Sequence, residues 1–550
     1  MTRLLVIPSW ARLPPEMVAE TGCQLAALIP LGGRPLYEHV VAAHREQAPG
    51  LRCVLIVPPG ASLEPAPGRS DMSGFMVRTL ASSRSIGDTV LAGLHELLPD
   101  EPVSVQMADT LLRLDEPIVD DAVYVQARDD LYRWTSVACD PAGRLQVLHD
   151  RDDIDPHDEP QNVCVGLFTF SQGALLRQLL QEEVEHTGHD APDPFFRAIE
   201  RYSVLKPMVL RQPAHWLDCG HVDTYYEARL GWQNLRHFNS LRYDARLGQV
   251  TKTSANREAF RHQVRWYKQV PDSLAAFLPR IYGSHDGEEP FVTMELLSIP
   301  TLSELFVQAR MGLGAWNGVV QTIAHILGQF GAYRQDTPLA SVLAERIYVA
   351  KTRERLLSFL QACPEAESYH LTDVAGPLGA LDLRLVLQTL DEFVEGCGLL
   401  ALDTLTPIHG DFCFSNLMYD PKVRLVRMID PRGEFGVPGI YGDARYDLAK
   451  LAHSFDGGYD FIVSDRFDVA LRNNVLTLRL DVEPYHVRVR ALFERMLLRE
   501  PLQARSIRGI QALLFLSMLP LHQDRPHRQL AMLATGLRLY RQSLTELRTS

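Results

Sequence analysis

Cysteine is scarce in this chain of 550 residues, and the eight that occur are scattered along it. They form no Cys-x-x-Cys pair and no Cys/His cluster with zinc spacing, so we expect reduced thiols and neither a disulfide framework nor a structural metal. No block of lysine and arginine occurs either, and the net charge is −13, from 55 basic and 68 acidic residues. Such a chain binds nucleic acid and anionic membranes poorly, so small molecules are the expected partners.

Long hydrophobic runs are also missing. The run in MTRLLVIPSW is too short for a signal peptide, and the longest later run, ALLFLSMLPL, is interrupted by Pro520 and too short to span a bilayer. We therefore expect a cytoplasmic protein without membrane insertion. Hydrophobic residues make up 46% of the chain, which is ample for globular cores. Because the length exceeds what one core usually serves, we expect two or more domains.

Two segments in the C-terminal third carry the clearest chemistry, IHGDFCFSNLMYD and VRMIDPRGEFG. Asp411 lies in the first, Asn416 follows five residues later, and Asp430 ends the apolar run of the second. Phosphoryl transfer needs a carboxylate near the attacking hydroxyl and oxygen ligands that hold Mg²⁺ on the nucleotide phosphates. The order and offset match the base, the metal-binding Asn and the metal-binding Asp of protein kinases. A polar turn and a strand-end cap would explain one of these residues, but not all three in this order.

The intervening segment LMYDPKVRLVRMID predicts two short strands joined at Asp420-Pro421-Lys422. Such a hairpin would bring Asn416 and Asp430 together. The sequence thus predicts one compact site for ATP and Mg²⁺.

These motifs resemble the aminoglycoside phosphotransferase and choline kinase family, whose members carry His-Gly-Asp where protein kinases carry His-Arg-Asp. The resemblance runs from about Phe238 to the C-terminus and implies an α+β bilobal kinase-like domain, with a small lobe at 238–300 and a large lobe at 301–550. In the segment IYGDARYDLAKLAHSF it implies that Asp443 and Asp447 support the catalytic loop without touching substrate.

The same resemblance assigns roles to the three motif residues. Asp411 would be the catalytic base, and Asn416 and Asp430 would bind Mg²⁺. The acceptor would be a small alcohol or sugar, which the sequence does not identify further.

A small nucleotide-binding lobe is expected after the junction. The predicted strand QVTKTS carries Lys252, our candidate for the phosphate-binding lysine, although no convincing Gly-rich loop precedes it and a solvated strand lysine is the alternative. The next helix places Gln263 where the family carries a glutamate, with Glu258 as the fallback partner. PFVTMELLSIPTLSELF resembles the last strand before the hinge, where backbone groups near Glu295 and Leu297 would contact adenine.

The first 234 residues have a different pattern. RLLVIPSW and CVLIVPP are typical of buried parallel strands and SIGDTVLAGLHELL of a helix, so residues 1–234 predict an α/β domain with a mostly parallel sheet. Such sheets bind ligands at the carboxyl ends of their strands. Asp109 follows a predicted strand and Asp218 precedes a predicted helix. Two carboxylates that converge from distant positions can hold Mg²⁺ on phosphate groups.

This domain resembles the sugar-phosphate and choline-phosphate nucleotidyltransferases of the glycosyltransferase-A-like fold. The segment ALIPLGGRPLYEHVV resembles the one that follows their nucleotide loop. The segment SIGDTVLAGL resembles the one whose glycine, here Gly87, contacts substrate and base. The segments ADTLL and WLDCGHVDTYYEA resemble their two metal-binding segments. The resemblance implies Mg²⁺ on Asp109 and Asp218 and a second nucleoside triphosphate such as CTP. Two departures stand out: PSWARLPPEM replaces the Gly-rich loop, with Arg12 as its only basic residue, and Ala26 replaces the catalytic lysine.

Together the resemblances imply a bifunctional enzyme that phosphorylates a small alcohol or sugar and then activates the product as a nucleotide conjugate for capsule or surface-polysaccharide assembly. Two alternatives stay open. The missing glycine loop and lysine favour a kinase whose N-terminal domain is a sensor or substrate-holding module. Gln263 and the absent Gly-rich loop of the small lobe favour a scaffolding pseudoenzyme.

Overall fold

The computed structural model describes residues 2–32, 34–48, 50–61, 74–128, 133–149, 161–186, 193–234, 241–244, 247–308, 311–371, 381–498 and 500–549. The chain divides into two compact units, Met1–Gln233 and Asn234–Ser550. The second domain's predicted start, Phe238, lies outside the described residues. Within those ranges, every helix is too short or too polar to cross a membrane.

The first unit alternates strands with helices. Its strands are β1 (Arg3–Pro8), β2 (Pro30–Leu31), β3 (Arg34–Pro35), β4 (Leu51–Val57), β5 (Phe75–Thr79), β6 (Val103–Gln106), β7 (Thr110–Arg113), β8 (Ala122–Arg128), β9 (Ser136–Cys139), β10 (Leu145–His149), β11 (Gln161–Phe170), β12 (Val209–Arg211) and β13 (His215–Asp218). Its helices are α1 (Pro15–Thr21), α2 (Leu36–Gln47), α3 (Ile86–Leu94), α4 (Gly173–His186), α5 (Pro194–Leu205) and α6 (Val222–Asn234).

The main sheet of this unit is mixed. Strands β6, β1, β4 and β5 pair in parallel, as the sequence predicts, but β11 runs antiparallel to β6, β8 and β9. The prediction of a mostly parallel sheet is therefore correct for one half only. One physical reason is the turn Asp140–Arg144, which joins β9 to β10. It is too short for a crossover, so these strands must pair antiparallel.

Strand β1 shows why the parallel half forms. All four residues from Leu4 to Ile7 are fully buried. Leu4 and Val6 pack in one core with residues of α3, whereas Leu5 and Ile7 pack in another with residues of α2. Successive side chains of a strand point to opposite faces, so an uninterrupted apolar run needs cover on both.

The second unit combines small sheets with many helices. Its strands are β14 (Leu241–Asp244), β15 (Gln249–Lys252), β16 (Ile281–His285), β17 (Phe291–Glu295), β18 (Gln335–Asp336), β19 (His370–Leu371), β20 (Thr404–Pro407), β21 (Leu417–Asp420), β22 (Leu425–Met428), β23 (Tyr441–Gly442), β24 (Phe467–Arg472) and β25 (Val475–Leu480). Its helices are α7 (Arg257–Gln269), α8 (Leu302–Val307), α9 (Leu313–Gly331), α10 (Leu339–Glu345), α11 (Lys351–Ala362), α12 (Leu383–Gly396), α13 (Ala444–Phe455), α14 (Tyr459–Val463), α15 (Pro484–Leu497), α16 (Pro501–Ser517) and α17 (Pro526–Thr549).

Two pieces of this unit position the candidate site. The first is an antiparallel sheet in the order β14-β15-β17-β16, followed after β15 by helix α7. The second is the hairpin of β21 and β22, in which Leu417 pairs with Met428 and Asp420 with Leu425. This is the hairpin that the sequence predicts, and its open end carries Asn416 and Asp430.

Candidate active sites

Buried contacts fix the His-Gly-Asp loop of the second unit. The Asp447 carboxylate accepts the backbone N–H groups of His409 at 2.7 Å and Gly410 at 2.8 Å. Gly410 has a φ of +77°, a left-handed conformation that favours glycine. At the other end of the loop, the buried Phe414 ring stacks on Trp316 with centroids 5.8 Å apart. The loop is thus held at both ends before any ligand binds.

Asp411 is held ionised by its neighbours. The Lys450 ammonium lies 2.8 Å from Asp411 Oδ1, and Asn416 Nδ2 donates to Asp411 Oδ2 at 3.0 Å and to the Asp411 main-chain carbonyl at 2.9 Å. Burial alone would raise the pKa of Asp411, but the Lys450 charge and hydrogen bond outweigh it, and the pKa falls to about 2. Asp411 therefore carries a negative charge throughout the physiological range.

Asp430 meets the candidate phosphate-binding lysine. Lys252 Nζ lies 2.6 Å from Asp430 Oδ1, and Gln263 Nε2 donates to the same oxygen at 3.4 Å. Asp430 also has a φ of +59°, an uncommon value for a residue other than glycine, and its N–H donates to Tyr267 Oη at 3.3 Å. Gln263 thus donates to the oxygen that pairs with Lys252, and no hydrogen bond joins Gln263 to Lys252 among the described residues, so a direct pairing of these two residues stays a prediction. The fallback partner Glu258 is exposed on the first turn of α7.

Two oxygens of this site stay available for a cation. Asn416 Oδ1 and Asp430 Oδ2 accept no hydrogen bond from the described residues. Carboxylate and amide oxygens suit Mg²⁺, which usually keeps waters and phosphate oxygens as its other ligands. Across the described ranges, no group of three or more His, Cys, Asp or Glu side chains is arranged to hold a metal ion. A cation here would therefore depend on the nucleotide for part of its coordination.

The predicted hinge follows β17. The Glu295 side chain pairs with Arg427 and accepts the backbone N–H of Arg280 at 3.0 Å, so it serves the local structure. The next N–H, of Leu296, donates to the Gly248 carbonyl at 2.9 Å. The Leu297 N–H finds no hydrogen-bond acceptor in the part of the chain that the structure describes. A free N–H at this position is what an adenine contact needs.

Lys252, Asp411 and Asp430 line one cavity of about 370 Å³. Four further cations that the sequence analysis did not identify share its wall: Lys351, Arg355, Arg432 and Lys450. Lys450 follows Asp447 by three residues on α13, a spacing that puts both side chains on one helix face. This spacing is the one sequence feature that could have identified Lys450 as a residue of the site. The other cations carry no motif.

In the first unit, Asp109 and Asp218 come together. Asp109 lies in the turn between β6 and β7, and Asp218 ends β13, where it pairs with Thr110. The Cys219 N–H donates to the Asp109 carbonyl at 2.8 Å. Burial and then the charge of Asp218 raise the pKa of Asp109 to about 6. A divalent cation would relieve this repulsion, so the pair fits Mg²⁺.

Neighbours that sequence reasoning missed orient this pair. His221 Nδ1 lies 3.0 Å from Asp218 Oδ2, and this hydrogen bond raises the pKa of His221. The Thr224 hydroxyl donates to the same Asp218 oxygen. A Cβ added at Gly220 would lie only 2.8 Å from Asp109 Oδ2, so glycine leaves room for that carboxylate. The sequence carried a signal for these neighbours in the segment DCGHVDT, because Gly220, His221 and Thr224 all follow Asp218 within six positions.

The other predicted residues of the first unit lie in packing environments. The Gly87 N–H donates to Asp193 Oδ1 at 3.0 Å, and a Cβ at Gly87 would lie 2.9 Å from Pro194 Cβ. Close packing of α3 on α5 accounts for this glycine without a nucleotide, and its contact with a base stays a prediction. Arg12 is exposed and forms a bridge with Leu25, next to the short helical turn that contains Ala26.

No protein-family model matches the chain, and no curated protein sequence does. Among solved structures, the chain is similar to HddC from Yersinia pseudotuberculosis, at 13% identity over 42% of this chain and 100% of that one, with a TM-score of 0.32. It is also similar to a nucleoside-diphosphate-sugar pyrophosphorylase from Vibrio cholerae RC9, at 16% identity over 41% and 99%, with a TM-score of 0.32. A third is the inositol-1-phosphate CTP transferase from T. maritima, at 15% identity over 42% and 96%, with a TM-score of 0.30.

Proposed function

We propose that the second unit transfers the terminal phosphoryl group of ATP to a hydroxyl of a small alcohol or sugar. The observation that carries this proposal is the convergence of Lys252, Asp411 and Asp430 on one cavity, although Lys252 and Asp430 are 178 residues apart in sequence. Asn416, which bonds to Asp411, completes the set of groups that phosphoryl transfer uses. A polar turn and a strand cap would have no reason to meet a buried lysine from another sheet.

In this reaction the acceptor oxygen forms a bond to the γ-phosphorus, the bond from that phosphorus to the bridging oxygen breaks, and ADP leaves. Asp411 accepts a hydrogen bond from the acceptor hydroxyl and then takes its proton. With a pKa of about 2, Asp411 is a weak base, so its main effect is to orient the hydroxyl. This agrees with phosphoryl transfer, in which positioning and charge neutralisation dominate and proton removal comes late.

Lys252 and the Mg²⁺ ligands serve the nucleotide. Asp430 and Asn416 would hold Mg²⁺, which neutralises charge on the phosphates when it is bound. Lys252, now paired with Asp430, is placed to donate to a phosphate oxygen as well. The backbone N–H of Leu297 would bind adenine.

For the first unit we propose a nucleotidyltransferase. A phosphate oxygen of the phosphorylated small molecule would attack the α-phosphorus of a second nucleoside triphosphate such as CTP, and pyrophosphate would leave. Asp109 and Asp218 would hold the Mg²⁺ for this step, which is supported by their enforced proximity and the raised pKa of Asp109. The use of the conjugate in capsule or surface-polysaccharide assembly rests on the resemblance alone.

Product analysis tests both proposals. The full chain is incubated with a bacterial metabolite extract, Mg²⁺ and ATP, then with each other nucleotide, and products are identified by mass spectrometry. We expect a phosphorylated product that Asp411→Asn abolishes and a nucleotide conjugate that Asp218→Asn abolishes. Asp420→Asn is the matched control, because Asp420 accepts backbone N–H groups in the β21–β22 turn and asparagine can do the same.

The outcomes separate the alternatives. A phosphorylated product without any conjugate would favour a kinase with a sensor or substrate-holding first unit. Failure of Mg·ATP to bind at millimolar concentration would favour a scaffolding pseudoenzyme. Full phosphotransfer by Asp411→Asn would refute the assignment of this cavity.

A further inference from the structure

The cavity beside Asp411 carries more positive charge than the nucleotide-binding groups account for. Among the described residues, five cationic side chains line it, against the two carboxylates Asp411 and Asp430. Each carboxylate already has its own cation, Lys450 for Asp411 and Lys252 for Asp430. Three cations therefore remain, in a protein whose net charge is −13. These three, which we call the cation cluster, are Lys351, Arg355 and Arg432.

Within the cation cluster, Lys351 is the member that lacks a hydrogen-bond or ion-pair partner among the residues that the structure describes. Arg355 donates to the Ser517 carbonyl at 3.0 Å, and Arg432 lies 3.9 Å from Glu434 and interacts electrostatically with Tyr446. By contrast, the ammonium of Lys351 makes no hydrogen bond or ion pair with any of the described residues. A half-buried ammonium without a partner costs free energy unless an anion joins it.

The other charged groups near Lys351 make the surroundings of its ammonium group more positive. Burial and then the charges of Arg432, Arg355 and Lys450 lower the pKa of Lys351, while Tyr446 opposes them. Glu354 and Glu434 partly offset the charge at Arg355. Lys351 also begins α11 directly after a π-helical turn, Arg346–Ala350, a feature that is frequent at functional sites.

The cation cluster lies on the Asp411 side of the cavity. Arg432 packs against the His-Gly-Asp loop, because its N–H donates to the His409 carbonyl at 2.8 Å and a Cβ at Gly410 would lie 2.8 Å from Arg432 Cβ. Arg432 also interacts electrostatically with Asp411, and Lys351 with Lys450, the cation that pairs with Asp411. The cluster therefore faces the place where an acceptor hydroxyl must sit.

Building on the proposed phosphotransfer, we infer that the acceptor is itself an anion, a phosphorylated or carboxylated alcohol or sugar whose charged group binds Lys351, Arg355 and Arg432. A cationic amine would be repelled by the same three charges. Arginine supports this reading because its planar guanidinium binds carboxylate and phosphate with two parallel hydrogen bonds. The kinase would thus add a phosphoryl group to a substrate that already carries a negative charge.

Sulfate is the probe for this site, and calorimetry at low ionic strength is the measurement. We expect wild-type protein saturated with Mg²⁺ and the β,γ-imido analogue of ATP to bind sulfate, and Lys351→Met to weaken that binding by about tenfold, as expected for loss of one charge-assisted hydrogen bond. Lys351→Arg keeps the charge and should bind nearly normally. Arg353→Met is the matched control, because Arg353 lies on the same helix but pairs with Asp391 at the exposed surface.

Three results would count against the inference or its premise, and they are distinguishable. If the imido analogue displaces sulfate, the cluster serves the nucleotide phosphates and the inference is wrong. Equal sulfate binding by Lys351→Met and wild type would also overturn it. If the imido analogue itself does not bind, the proposed kinase function fails, and the sulfate titrations alone decide whether the anion site exists.

An acceptor panel gives a second readout. Sugar phosphates and sugar acids should be phosphorylated with a kcat/KM at least about tenfold above those of neutral sugars and amino alcohols, since one ion pair in a desolvated site is worth at least that factor. In Lys351→Met the KM for the anionic acceptor should rise while the KM for ATP stays unchanged. Preferred turnover of a cationic acceptor would refute the inference.

Discussion

Replacing Lys450 with methionine should raise the pKa of Asp411 and give the phosphotransferase an acid limb that the wild type lacks. In the wild type, Asp411 has a pKa of about 2, because Lys450 outweighs the effect of burial. Asp411 is therefore ionised at every pH where the protein is assayed. Without the Lys450 charge, burial dominates and favours the protonated carboxyl group, which cannot accept a proton from the acceptor.

The size of the shift follows from the geometry. Two unit charges 4 Å apart interact by about 4 kcal/mol at an effective dielectric constant of 20. The Lys450 side chain is only 10% exposed, but Asp411 is 39% exposed to the cavity, so water screens part of this energy. We therefore expect a rise of roughly 2–3 pKa units, which places the acid limb between about pH 4 and 5. Activity should fall as the pH drops through that range.

Direct chromatography of ADP is the suitable assay, since coupling enzymes have pH profiles of their own. The Lys450→Met profile is compared with wild type and with Lys450→Arg between about pH 3.5 and 8, a range that spans the expected limb on both sides. Lys450→Arg should keep the flat wild-type profile, because it keeps the charge. A flat profile for Lys450→Met, or the same limb in both variants, would refute this account of Asp411.

Three further predictions concern other residues. Gly433→Ala should destabilise the protein by about 2–4 kcal/mol in chemical denaturation, because Gly433 has a φ of +71° and an added Cβ would lie 2.1 Å from the His262 carbonyl oxygen; unchanged stability would contradict the close approach. Asp218→Asn should raise the melting temperature, since it removes the like charge beside Asp109, yet abolish pyrophosphate release; a lower melting temperature would show that the pair is not in repulsion. Asp447→Asn should lower kcat with little change in the KM for ATP, because it weakens two loop hydrogen bonds worth about 1–3 kcal/mol; a raised KM alone would contradict a supporting role.

The parts of the site that the sequence reveals are those that local structure brings together. Asn416 and Asp430 flank one hairpin, and turn chemistry at Asp420-Pro421-Lys422 is enough to predict that they meet. The contact between Lys252 and Asp430 is different, since it joins two separate sheets. Only the resemblance to a known family led to Lys252.

The cation cluster shows the limit of sequence reasoning. Lys351 and Arg355 are four residues apart and share a helix face, but a helix pattern does not say which cavity that face meets. The position is set by the packing of α11 against α16, a contact between distant parts of the chain. The antiparallel half of the first sheet could not be predicted for the same reason. Strand β11 pairs there with β6 and β8, and a strand pattern does not say which strands will be neighbours in the sheet.

The most direct test of the central claim is a crystal structure of the full chain with Mg²⁺ and the β,γ-imido analogue of ATP. We expect Mg²⁺ on Asp430 and Asn416, adenine at the Leu297 backbone, and the terminal phosphate facing Asp411. A nucleotide bound outside the cavity of Lys252, Asp411 and Asp430, or Mg²⁺ that contacts neither Asp430 nor Asn416, would contradict it.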